Sequence, residues 1–92
     1  MGQAVSSFRA LFEQAQEGVA YWAEGAALDY AEGLGAAMLD NDISIEELAK
    51  RCGREVSHVR DALAGDWLID IEDMALMAHH AGARVEIKVL PK

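Results

Sequence analysis

Few side chains in this chain are able to do chemistry, and their spacing argues against catalysis. His79 and His80 are neighbours, so on a helix they point to different faces and cannot form the i, i+4 pair that grips zinc. Cys52 is the single cysteine, which excludes a disulfide or a thiolate zinc cluster within one chain. In the last turn of a helix such a cysteine reads as a small apolar residue. Only Arg51 and Arg54 nearby would favour a reactive thiolate. The acids Asp66, Asp70, Glu72 and Asp73 lack the ligand spacing and central glycine of a calcium loop. No nucleophile elbow, phosphate-cradling glycine loop or paired carboxylates suited to acid-base work can be found. The expectation is a protein that is not an enzyme, with no cofactor, no metal and no evident small-molecule substrate. His58 stands apart, because an imidazole N–H is able to donate to a phosphate.

The stretch that must position His58 and its neighbours is ISIEELAKRCGREVSHVRDALAG, residues 43–65. Ser44 followed three residues later by Glu47 is a capping-box signature for a helix start. Leu48 and Ala49 face inward, Lys50, Arg51 and Cys52 close the last turn, and Gly53 supplies the positive φ needed to leave it. Val56, Val59, Ala62 and Leu63 then recur at helical spacing until Gly65. Two helices joined by a short glycine turn form a helix-turn-helix pattern.

Around that unit the chain is predicted to be mainly α, with five or so helices in one domain spanning residues 1–92. Val5, Phe8, Phe12, Ala15, Val19 and Trp22 follow a 3-4-3-4 spacing, a single stripe on one helical face. A second stripe runs through Leu28, Ala31, Leu34, Met38 and Leu39, with a break between the two expected at Gly18 or Gly25. Gly33 and Gly35 weaken that helix unless another backbone packs closely there. Residues 1–42 thus read as an N-terminal helical extension and residues 43–82 as the helix-turn-helix core. Asp70 caps a final helix whose first turn holds Glu72 and Asp73, whose buried side includes Met74 and Met77, and which Gly82 ends. Trp22 and Trp67 are expected to anchor the two halves of the core.

Residues 83–90 alternate, with Val85, Ile87 and Val89 on one face and Arg84, Glu86 and Lys88 on the other, the period of a strand. A lone strand leaves backbone donors and acceptors unpaired. Pairing with the same strand of a second copy would make a homodimer, with Val85, Ile87 and Val89 as its dimerisation residues.

Charge and hydropathy narrow the partners. Hydrophobic residues make up 52% of the chain, enough for a folded core, and no run of 18 apolar residues or signal segment is seen, so no membrane is expected and the compartment is expected to be cytoplasmic. The net charge is −8. Residues 1–42 carry one base, Arg9, against seven acids, or −6, whereas residues 43–92 carry seven bases against nine acids, or −2. Nucleic-acid affinity comes largely from cationic side chains displacing counterions from phosphates, so the acidity weighs against it.

The chain resembles the Cro/repressor (XRE-type) helix-turn-helix family, in its branch of small antitoxins and prophage regulators. FRALFEQA with Tyr21-Trp22-Ala23-Glu24 is similar to that branch's N-terminal extension, ISIEELAKRCG to its first motif helix, Leu63-Ala64-Gly65-Asp66 to the end of its recognition helix, and IEDMALMAHHAGARVEI to its last helix and strand. The resemblance implies a dimer bound to a two-fold symmetric operator, with residues 54–64 in a major groove. The DNA contacts it leaves are Arg54, Ser57, His58 and Arg60, with Lys50 and Arg51 on the backbone. Three positions depart from the family: Ile45 replaces a usual glutamine, and Glu55-Val56 replace a Ser/Thr cap and a Gln or Arg. Either Ile45 and Val56 turn into the core, or they form an apolar patch. In the second case an alternative function follows: a toxin or host protein bound through Ile45, Val56 and the acidic Glu13, Glu17 and Glu24.

Overall fold

The computed structural model describes residues 2–66 and 68–91, with side chains from residue 18 onward. It contains α1 (Gly2–Asp40), α2 (Ile45–Cys52), α3 (Val56–Leu63) and α4 (Ile71–His80). The architecture is mainly α, with four helices rather than five among the described residues. The expected break at Gly18 or Gly25 does not occur, and α1 runs unbroken for 39 residues. Each glycine there costs about 1 kcal/mol relative to alanine, too little to interrupt a helix of that length. The close packing expected at Gly33 and Gly35 is also not found. A Cβ added at Gly33 would meet nothing within 4 Å, and one at Gly35 would meet only Leu63 Cδ2, at an ordinary 3.8 Å.

The core gathers one side of each helix. Leu34 and Met38 of α1, Leu48, Ala49 and Cys52 of α2, Val59 and Ala62 of α3 and Met77 of α4 close over Ile43 and Ala81. Leu48, Val59 and Met77 are the largest fully buried side chains among the described residues, one from each short helix. Tyr30 crosses from α1 to α4, where its hydroxyl donates to the Met74 carbonyl at 2.9 Å. Burial pushes its pKa up to about 12, with the Cys52 and Asp73 charges adding to the shift.

All four helices stop in the same way. A residue with positive φ follows each helix, Asp42 (53°), Gly53 (66°), Gly65 (85°) and Gly82 (85°), and the next amide reaches back five residues to close the end. Those bonds are Ile43 to Met38 (2.8 Å), Arg54 to Ala49 (3.0 Å), Asp66 to Asp61 (3.0 Å) and Ala83 to Ala78 (2.8 Å), the six-to-one bond of a Schellman motif. Asp42 is the case in which a side chain occupies the left-handed region, one that Asp and Asn tolerate better than most. Asn41 beside it donates from Nδ2 to the carbonyls of Ala37 (3.1 Å) and Ala81 (3.0 Å), tying the end of α1 to the end of α4.

Residues 83–90, expected as a strand, are not one: no strand forms among the described residues. A ladder needs a second strand, and a period of two says which face a residue takes, not what it pairs with. Val85 is half-buried, while Ile87 is 62% and Val89 98% exposed.

Trp22, expected inside, is 72% exposed, and Val19 is 64% exposed. Trp67 and the side chains of Val5, Phe8, Phe12 and Ala15 lie outside the described residues. Among the described side chains, the part of α1 that joins the core begins at Ala27. The chain is consequently elongated. Its radius of gyration is 16.9 Å, against about 12 Å for a compact domain of this length.

Candidate nucleic-acid interface

The α2–turn–α3 unit is built by local signals that the sequence carries. Ser44 Oγ accepts from the Glu47 amide at 3.1 Å and starts α2. The reciprocal half of the capping box is absent among the described hydrogen bonds, because the Glu47 carboxylate instead accepts from Arg51 Nε at 3.0 Å. The N-cap of α3, Glu55, makes no side-chain capping bond. Its carboxylate accepts a long hydrogen bond from Ser57 Oγ at 3.4 Å. Val59 and Ala62 turn into the core, which leaves Ser57, Arg60 and Asp61 as an outward face, with His58 at its edge.

The six residues that the sequence offers to DNA divide into two groups. Lys50, Ser57, His58 and Arg60 are exposed, and neither Lys50 nor Arg60 belongs to an ion pair among the described residues. Arg51 and Arg54 are committed to the fold. Arg51 pairs with Glu47 and donates from Nη1 to the His80 carbonyl at 3.3 Å, closing the end of α4. Arg54 places both Nε and Nη2 3.0 Å from one oxygen of Asp73, with the two side chains only 35% and 18% exposed. That partner was not legible in the sequence. Asp73 reads as a first-turn acid matched to the helix dipole, and nothing in a spacing of nineteen residues marks an ion pair.

A cleft of about 270 Å³ lies beside His58, with Asp61, Asp66, Asp70 and Asp73 in its walls. Three of these carboxylates have structural work. Asp66 accepts from the Leu68 amide (3.0 Å), Asp70 from the Asp73 amide (2.8 Å), and Asp73 from Arg54. Among the described residues no three of the His, Cys, Asp and Glu side chains are placed to hold a metal ion. Cys52 is buried, its thiol within 3.9 Å of the Leu76 carbonyl. Burial pushes the thiol pKa up, with Arg54 opposing and Asp73 reinforcing, so it is held protonated.

Ile45 and Val56, the apolar pair of the alternative protein-binding surface, are half-buried and pack against the core cluster, so little of either is available to a partner. Glu24 is exposed, and the side chains of Glu13 and Glu17 lie outside the described residues. Among the described residues no helix is long and apolar enough to cross a membrane. No family model matches the chain, and no curated protein or solved structure matches it significantly.

Proposed function

We propose that the chain is a helix-turn-helix DNA-binding regulator of repressor type that acts as a dimer on a two-fold symmetric operator. The observation that carries this reading is the outward face of α3. Ser57 and Arg60, with His58 at the edge, stand exposed on a helix whose other side is locked into the core by Val59 and Ala62. Arg60 is the base-reading or phosphate-gripping cation of that face, and Lys50 of α2 is a backbone contact. Arg54 and Arg51 hold the motif in shape instead of touching DNA.

Each subunit contributes few cations, so affinity is modest, and its fall with salt is limited by the small number of phosphate contacts. A mobility shift on the chain's own upstream DNA is expected at about 50 mM salt and lost by about 200 mM. Arg60→Ala is expected to abolish it. Absence of any shift at the lower salt would defeat the reading.

A second reading has its own observation. The acids Asp61, Asp66, Asp70 and Asp73 line a cleft directly beside α3, where a phosphate backbone would be repelled and a basic protein surface attracted. In this reading the same fold inhibits a toxin or host protein, with Glu24 and the acidic side of α1 extending the contact. Charge reversal at Glu13, Glu17 and Glu24 would then remove activity, and Arg60→Ala would leave it intact.

A further inference from the structure

The segment of α1 that precedes Ala27 carries an apolar seam, and the described members of that seam stand exposed. Val19 and Trp22 on this seam are 64% and 72% exposed, and Tyr21, which lies off the seam, meets the Trp22 ring edge to face at 5.3 Å. The sequence continues that seam toward the N-terminus through Ala15, Phe12, Phe8 and Val5 at alternating steps of three and four, the spacing of a coiled-coil seam. The next seam positions are Ala26 and Asp29, so the seam ends where α1's own core begins, at Ala27. On a 3.6-residue wheel the seam lies about 100° around the helix from the core-facing residues Ala27, Ala31, Leu34 and Met38.

We propose that this seam is covered by the same seam of a second copy of the chain, running antiparallel. Residue sizes select that occupant. Antiparallel pairing about the seam's midpoint sets Val5 opposite Trp22, Phe8 opposite Val19, and Phe12 opposite Ala15, so each aromatic residue meets a smaller one. Parallel pairing would oppose Phe8 to Phe8, Trp22 to Trp22 and Ala15 to Ala15, which alternates crowded layers with hollow ones.

Charge permits the same partner. Glu13, Glu17 and Glu24 lie about 150° from the seam by the same wheel, and the flanking positions hold Arg9, Gln16 and Ala23 on one side and Leu11, Gly18 and Gly25 on the other. Two chains of net charge −8 therefore meet with no carboxylate on the flanks of the contact. Gly18 and Gly25 have nothing within 4 Å of an added Cβ, which leaves room for a second helix to approach.

The area is also adequate. Three aromatic side chains contribute roughly 150–250 Å² each, and with Val5, Ala15 and Val19 they approach the ~800 Å² per partner of a stable interface. The interface does not depend on DNA binding, nor on residues 83–90.

Sedimentation of the full chain at micromolar concentration, with disulfide trapping, tests this. The wild type is expected at twice 10.0 kDa, and Val19→Glu and Trp22→Glu should each raise the dimer dissociation constant by at least ~30-fold while leaving the helical circular dichroism unchanged. The double variant Val5→Cys/Trp22→Cys should cross-link between copies under oxidation, and Val5→Cys alone should not. Positions 5 and 22 of one helix are about 25 Å apart, beyond the ~7 Å reach of a disulfide, and the buried Cys52 does not compete. A monomeric wild type, a dimer indifferent to both glutamate variants, or efficient cross-linking of Val5→Cys alone would each overturn the proposal.

Discussion

Arg54 and Arg60 lie six positions apart in opposite surroundings. Arg60 is exposed on α3, whereas Arg54 is half-buried and held by Asp73 of α4. Arg54→Ala is therefore expected to lower stability by roughly 1 kcal/mol, since the pair is only partly shielded from solvent, and to leave Asp73 without its cation. Arg60→Ala should leave stability within about 0.5 kcal/mol. Urea melts of the two variants separate these expectations. Tyr30 gives a test in pH. Its folded pKa of about 12 lies above the ordinary 10.0, so the folded chain keeps a proton that the unfolded chain releases. Stability that is present below pH 10 is therefore lost as pH rises toward 12. Melts across that range should show a decline that Tyr30→Phe largely removes, at the cost of the hydrogen bond to Met74, about 1 kcal/mol at neutral pH. The partners of Arg54 and Tyr30 were not legible in the sequence, because tertiary packing brings in Asp73 for the first and the Met74 carbonyl for the second, whereas Arg60 was expected on the outward face and is exposed there.

The exits of the short helices were legible and the course of α1 was not, for related reasons. Gly53, Gly65 and Gly82 announce helix ends because a positive φ is nearly free for glycine and costly for other residues. Gly18 and Gly25 look alike in sequence and end nothing, because no turn chemistry follows them. Glycines of the two kinds should respond oppositely to a methyl group. Gly33→Ala faces open space and is expected to raise stability by about 1 kcal/mol. Gly82→Ala would strain a φ of 85° and set its Cβ 2.8 Å from Asn41 Nδ2, displacing the link between α1 and α4. A loss of more than about 1 kcal/mol is expected, and thermal melts of both variants will show whether the signs differ. The seam from Val5 to Trp22 and the alternation over residues 83–90 share one limit. A period reports which face of an element is apolar, and not which surface meets it. That is why Trp22 read as a core anchor, and why residues 83–90 read as a strand.

At the scale of the whole molecule, α1 is the longest dimension, 39 residues in a body 56 Å long. The helix-turn-helix unit sits at one end of this rod and the seam occupies the other. An antiparallel pair would therefore resemble a dumbbell, with a shaft of two helices and a reading head at each end. By the 1.5 Å rise, residue 34 of one copy lies on the order of 60 Å from residue 34 of the other. That separation is nearer two turns of B-form DNA, ~70 Å, than the single turn of ~35 Å that compact helix-turn-helix dimers span. Operator half-sites are thus expected about 20 base pairs apart, centre to centre, and nuclease footprints should show two protected patches around an accessible middle. The length of α1 between the seam and the core would then act as a molecular ruler. Inserting one heptad between Trp22 and Ala27 would move the heads apart by on the order of 10 Å per chain, and the preferred spacing on DNA should lengthen with it.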